Sequence, residues 1–131
     1  MAVVCDQYNN VCVITVVGEL TGDDAGAFSQ LVEDELRRRA ASAFVVDLRD
    51  CEFIDRAGAD SLLRASRRCK DQGRHFGLAN VDPNCRQTLE MTAATARFDF
   101  HHDLATALKT AAPAGANRRP RRGLQSGQRP G

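Results

Sequence analysis

Two acidic residues, Asp47 and Asp55, are the first candidates for chemistry in this 131-residue chain. Paired carboxylates can act as general acid and base. Here, though, Asp47 closes an apolar run, Phe44-Val45-Val46, and Asp55 precedes a stretch of helical spacing. In that place Asp55 is a good N-cap, because its carboxylate can accept bonds from the first free N–H groups of a helix. The same helix start, with its positive dipole end, could also receive an anion. A cap is the plainer reading. Gly58, in the first turn, leaves room for another chain or group to approach the backbone. The five cysteines, Cys5, Cys12, Cys51, Cys69 and Cys85, are odd in number and include no C-x-x-C pair. Metal sites usually show tighter spacing and histidine partners, so no metal is expected and the thiols read as core or surface groups in a reducing compartment. His101 and His102 are adjacent, and neighbours on a strand point apart, so they make no site alone. No Cys-His or Ser-His-Asp spacing is evident and no phosphate loop of the GxxxxGK[ST] type is present. No catalytic residue and no cofactor is expected.

These residues must be held by regular elements, and the spacing of apolar positions says which. Phe44 to Leu48 is short and apolar enough for a buried strand. Arg49-Asp50-Cys51-Glu52 reads as a polar corner, after which Phe53 and Ile54 return the chain to the core. From Ala57 the period turns helical, with Ala59, Leu62, Leu63 and Ser66 on one face. That helix ends near Gly73, which suits the left-handed residue after a helix, and Arg67, Arg68 and Lys70 suit its negative dipole end.

Upstream, residues 3–6 suggest a short edge strand and Asn9-Asn10 a turn. Val11 to Val17 is apolar on both faces and belongs inside a sheet. Thr21-Gly22-Asp23-Asp24 approximates a capping box. The helix after it carries Phe28, Leu31, Val32 and Leu36, with Glu33/Arg37, Asp34/Arg38 and Glu35/Arg39 as i,i+4 pairs on a solvated face, each adding about 0.3 kcal/mol. Downstream, His75 to Val81 reads as a strand with Phe76, Leu78 and Ala79 inward. Asp82-Pro83 then starts a helix carrying Cys85 and Leu89. Phe98 to Phe100 is a last strand, and Asp103 caps a last helix with Leu104, Ala107 and Leu108 on one side. Strands alternating with helices imply a largely parallel sheet with crossover helices.

The run VVDLRDCEFIDRAG resembles the signature of the STAS domain, shared by sulfate transporters and anti-sigma factor antagonists. Val45, Val46, Asp47, Phe53, Ile54, Asp55 and Gly58 match it. Gly18-Glu19-Leu20 resembles the tripeptide with which antagonists of that family follow their central strand. The resemblance covers about residues 3–112. It implies an α/β fold with a central, mostly parallel sheet of four or five strands flanked by four helices. The position just before the glycine is where the family's antagonists accept a phosphate from their anti-sigma kinase. Here it is Ala57, preceded by Arg56, and neither can be phosphorylated. The helix that starts at the signature is the family's partner-binding surface, which maps onto Asp55, Arg56, Ala57, Gly58, Asp60, Ser61 and Arg64.

Charge divides the chain. Residues 1–112 hold 13 Lys or Arg against 17 acids, whereas residues 113–131 hold five Arg and no acid. The second segment is rich in Gly, Pro and Arg with one large apolar residue, Leu124, and reads as a disordered basic tail behind a domain of residues 1–112. Its arginines could touch nucleic acid or anionic membrane, but without aromatics or a helical period it reads as solubilising, and no specific nucleic acid is expected. No window approaches the roughly 20 apolar residues that span a bilayer, and no signal peptide opens the chain. A cytoplasmic binding module is the resulting expectation. Its partner would be an anti-sigma factor of the serine-kinase type, regulating transcription without the usual phosphorylation switch. The alternative is a small STAS subunit that binds the ATPase of a phospholipid ABC transporter.

Overall fold

A computed structural model describes residues 1–38, 41–92 and 98–111. The basic tail, Arg39 and its pairing with Glu35 lie outside the described residues. The order of elements is β1 (Ala2–Tyr8), β2 (Val11–Leu20), α1 (Gly22–Arg38), β3 (Ala43–Asp47), β4 (Cys51–Ile54), α2 (Arg56–Asp71), β5 (His75–Ala79), α3 (Pro83–Thr92), β6 (Asp99–His101) and α4 (Leu104–Ala111).

The strands form one six-stranded sheet in the order β1-β2-β3-β5-β6, with β4 joined to β2 beyond β3. Only β1 and β2 run antiparallel. Asn9 and Asn10 make the two-residue turn between them, both at positive φ, which the short side chain of Asn tolerates. On the edge away from β1, β2 is long enough to serve two partners. Its first half, Val11 to Thr15, pairs with β3, and its end, Gly18 to Leu20, pairs with β4 after a register shift at Gly18.

β4 is the sixth strand and stands where the sequence suggested a polar corner. Only Arg49 and Asp50 are needed to turn the chain, and Cys51 already pairs with Gly18. Cys51 and Ile54 face inward, but Phe53 does not return to the core: it is 51% exposed. A four-residue strand at the rim of the sheet has no helix to cover every position. β1 likewise exceeds the short strand expected and exposes Val4 and Tyr8 on the sheet edge.

Helices cover both faces. Cys12, Ile14, Val16, Phe44, Val46, Phe76 and Leu78 point to one side, where Phe28, Val32 and Leu36 of α1 and Leu62 and Ala65 of α2 meet them. α3 adds Leu89 to that core. Val11, Val13, Ala43, Val45 and Ala79 point the other way, to Ala107 and Ala111 of α4. Alternation along β2, β3 and β5 assigns these sides, and double-sided burial explains the unbroken apolar run of β3.

The helix ends follow the sequence. Asp82 accepts the N–H of Cys85 at 2.8 Å, and Asp103 that of Thr106 at 2.8 Å. Gly73, at φ +71°, ends α2 with its N–H on Lys70 O and that of Arg74 on Cys69 O. The charged face of α1 pairs differently from the i,i+4 expectation. Arg37 bonds Asp34 and Arg38 approaches Glu35, both one residue closer. Glu33 instead takes a two-pronged bond from Arg68 of α2, at 2.7 and 3.0 Å. The packing of α1 against α2 brings that guanidinium within reach, and a planar fork matches a carboxylate better than a chain neighbour can.

Candidate surface at the start of the second helix

The loop between β4 and α2 is built around Asp55. Its backbone is extended (φ −89°, ψ 178°) and its Oδ1 accepts the N–H of Gly58 at 2.7 Å, which makes it the N-cap of α2. The other oxygen, Oδ2, accepts the N–H of Gly22 at 3.0 Å. Gly22 is the first residue of α1. One carboxylate therefore satisfies a free N–H at the start of both helices. A third bond, from the N–H of Asp55 to Leu20 O at 3.2 Å, ties the same residue to the end of β2.

Gly58 is needed for close approach, and the approaching group is the chain's own. A Cβ at position 58 would stand 2.1 Å from Leu20 O, so any side chain there forces the helix off the strand. Gly22 serves the neighbouring contact, since a Cβ on it would lie 3.3 Å from that of Ala57. The ends of β2 and β4 and the starts of α1 and α2 thus meet within one turn of chain.

This packing sorts the residues expected on the surface. Arg56, Ala57 and Arg64 are exposed, and Asp55 and Asp60 are half-buried. Gly58 and Ser61 are buried. Ser61 is 0% exposed and its Oγ donates to Gly58 O at 2.6 Å, so its hydroxyl is already used inside the helix. It is withdrawn from the surface, and the exposed residues around Ala57 carry no hydroxyl on the first turn of α2. Phe53 stands beside this turn with its ring half in solvent, and Met91 of α3 is 74% exposed. A shallow depression lined by Arg56, Thr88, Met91 and Thr92 lies between α2 and α3. Phe53 and Met91 were not legible as surface residues, because apolar side chains in regular elements are assigned to the core by default.

Asp47, the other acid of the signature, has a structural task as well. It accepts the N–H of Arg49 at 3.1 Å and the side-chain amide of Asn80 at 3.0 Å. Asn80 holds a left-handed backbone (φ 58°) at the end of β5. Asp47 therefore fixes two turns at the end of the sheet, and its partners are not those of Asp55. Burial pushes all five thiols above their ordinary value, those of Cys69 and Cys85 to about 12. None is a ready nucleophile at neutral pH. The hairpin does bring Cys5 and Cys12 together, Sγ to Sγ 2.8 Å, which a seven-residue spacing did not announce.

A mostly parallel sheet with a capped helix springing from its signature loop defines a class of fold. Residues 4–98 match the family model described as "Mlab, STAS domain", and the chain belongs to the STAS family. The fold is that of the anti-sigma factor antagonists. An anti-sigma factor antagonist from Mycobacterium paratuberculosis superposes with a TM-score of 0.75 at 22% identity, over 86% of this chain and 94% of that one. The Bacillus cell fate determinant SpoIIAA in its phosphorylated form gives 0.65 at 14% identity, over 83% and 99%. The murine anion transporter Slc26a9 gives 0.70 at 16% identity, over 81% of this chain but 18% of the transporter. No curated protein sequence matches significantly. Among the described residues no helix is long and apolar enough to cross a membrane.

Proposed function

We propose that this chain is a non-enzymatic binding module of the antagonist type, and that it engages its partner through the start of α2 without a phosphorylation switch. The observation that carries the reading is Ala57. It is exposed on the first turn of α2, in the place that the resemblance to the signature assigns to the phosphate acceptor, and it offers only a methyl group. The surrounding surface suits a protein partner: Phe53 and Met91 supply apolar area, and Arg56 and Arg64 supply positive charge. Asp55, Gly58 and Ser61 support that surface from below. The partner that fits is an anti-sigma factor resembling a serine kinase, in the cytoplasm, with transcription as the regulated process.

A second reading has its own support. The matching family model is described as "Mlab, STAS domain", and Slc26a9 shows a STAS fold inside an anion transporter. A small STAS subunit held against the ATPase of a phospholipid ABC transporter would need no acceptor hydroxyl at all.

The test is calorimetric titration of a candidate partner of each class with wild type, Ala57→Asp and Arg56→Ser. A phosphorylated serine brings about −2 charge to such a helix start. Ala57→Asp introduces part of that charge and should weaken binding at least tenfold. Arg56→Ser should weaken it less, by the loss of one rim charge. Affinity for the kinase-type partner should not depend on added ATP. Equal affinities for wild type and Ala57→Asp would remove this helix start from the interface, and phosphate incorporated within residues 55–61 would refute the unswitched reading.

A further inference from the structure

Far from that loop, the hairpin and α1 gather a second group of reactive side chains. β1 and β2 pair so that Cys5 lies opposite Ile14 and Gln7 opposite Cys12. Cys5 and Cys12 are therefore diagonal neighbours on one face of the sheet, the face that α1 covers. Their sulfurs are 2.8 Å apart, one thiol donating to the other. From α1, Glu35 points its carboxylate down onto the pair. The Sγ of Cys5, the Sγ of Cys12 and a carboxylate oxygen of Glu35 all lie within 4.8 Å of one another.

Glu35 is the unusual member. It is 7% exposed, and every polar contact it makes with the other described residues is long. Oε1 is 3.5 Å from Gln7 Nε2 and 4.0 Å from Cys12 Sγ, while Oε2 is 3.8 Å from the guanidinium of Arg38. Hydrogen bonds to a carboxylate normally fall at about 2.7–3.2 Å. A buried carboxylate with only loose partners is costly to the fold. Arg38 is largely exposed, so the side chain of Glu35 could have followed it outward. It turns instead toward the two sulfurs, with Cys12 Sγ 4.0 Å from Oε1.

We propose that Cys5, Cys12 and Glu35 form a binding site for a divalent cation of the zinc class, held by two thiolates and one carboxylate oxygen. Metal–sulfur bonds of about 2.3 Å and metal–oxygen bonds of about 2.0–2.2 Å suit a tetrahedral centre of this ligand set. Side-chain rotation that parts the two sulfurs makes room for the ion. Cys5 is only half-buried, so the fourth position opens to solvent and can hold water. The charge is balanced: the cation and Arg38 together offset two thiolates and a carboxylate. Thiolate ligands select against magnesium and calcium, which take oxygen donors.

A disulfide is the competing use of two close cysteines. Diagonal positions across an antiparallel pair are typically about 7–8 Å apart at Cα, wider than the roughly 4.4–6.8 Å that a disulfide usually spans, so closing one would draw the strands together. A disulfide would also leave Glu35 with only its loose contacts to Gln7 and Arg38 among the described residues. A metal uses all three groups, and it would fasten the sheet-edge hairpin to α1.

The full chain, reduced and freed of metal, should be titrated with Co²⁺ and followed by absorption. One equivalent should produce thiolate-to-cobalt charge-transfer bands and the visible bands of a tetrahedral centre. One equivalent of Zn²⁺ should then abolish both, and excess Mg²⁺ should not. Cys5→Ser, at a half-exposed position that keeps the fold, should lose about half of the charge-transfer intensity. Glu35→Gln should keep the charge-transfer bands but weaken affinity by more than about tenfold, since even outer-shell ligand partners are worth that much. Zn²⁺ should raise the melting temperature of wild type more than that of Cys5→Ser. No stoichiometric cobalt uptake, or uptake unchanged in Cys5→Ser, would overturn the assignment. So would a reduced protein that ignores cobalt and forms a Cys5–Cys12 disulfide with glutathione disulfide.

Discussion

The two faces of the sheet are packed to different depths. Against α1, α2 and α3 the sheet presents Ile14, Phe44, Phe76 and Leu78, and the helices answer with Phe28, Leu36, Leu62 and Leu89. Against α4 it presents Val11, Val13, Ala43, Val45 and Ala79, and α4 answers with alanines. Large side chains bury more apolar area, so most of the hydrophobic stabilisation lies on the first face. The exposed start of α2 is mounted on that face as well. The surface that would meet a partner thus rests on the most heavily packed part of the molecule, whereas α4 is a thin cover that closes the other side.

Adjacent residues of β3 test this contrast most sharply. Phe44→Ala, on the deep face, should cost about 3–5 kcal/mol, as the removal of a buried Phe usually does. Val45→Ala, on the shallow face, removes less and should cost about 2 kcal/mol. Urea denaturation of both variants measures the difference, and equal losses would show that the faces carry similar weight.

The caps give the next effect in size. Asp55 caps α2 and also holds the first N–H of α1, whereas Asp103 caps α4 alone. Replacing one cap by alanine typically costs about 1 kcal/mol. Asp55→Ala should therefore lose about 2 kcal/mol and Asp103→Ala about 1 kcal/mol or less in the same denaturation experiment. A cost at Asp55 no larger than at Asp103 would mean that the bond to Gly22 contributes nothing.

The smallest expected effect is a dependence on acid, and it belongs to the shallow side. His75 shares the α4 side of β5 with Ala79 by alternation, and burial holds its imidazole below the ordinary histidine range. The unfolded chain therefore takes up a proton before the folded one does. Stability from this group is complete above about pH 6.5 and falls as pH drops through the window down to the lowered folded value. Melting temperatures recorded from pH 7.5 to 5.5 should decline, and His75→Gln should make the decline shallower. The nearby carboxylate of Asp99, 3.9 Å from Nδ1, limits the effect by favouring the charged form.

Much of this architecture was legible in the residues. β2, β3 and β5 are continuous apolar runs, and Asp55, Asp82 and Asp103 each precede a helical period. Their caps formed as local chemistry requires. What escaped the sequence depends on partners distant along the chain. β4 is four residues long with two of them exposed, so no period marks it. Phe53 and Met91 are apolar residues whose exposure is set by which helices happen to cover them. Glu33 found Arg68 across a helix interface rather than Arg37 on its own helix. Of the surface residues named from the family signature, Asp55, Arg56, Ala57, Asp60 and Arg64 reach solvent to some degree, while Gly58 and Ser61 were drawn inward by contacts with Leu20 and with the helix backbone. Cys5, Cys12 and Glu35 converge only through strand register and helix packing.

The bond from Asp55 to Gly22, together with the fit of Gly58 against Leu20, bears on how quickly a partner could dock. The start of α2 is joined at once to α1 and to β2, and it has no slack of its own to lose. A flexible loop must be ordered when it binds, and that ordering opposes complex formation. Here the ordering is already complete in the free chain. Docking on this tip would be a rigid-body encounter whose rate is set by diffusion and charge steering, and differences between partners would appear in how long they stay.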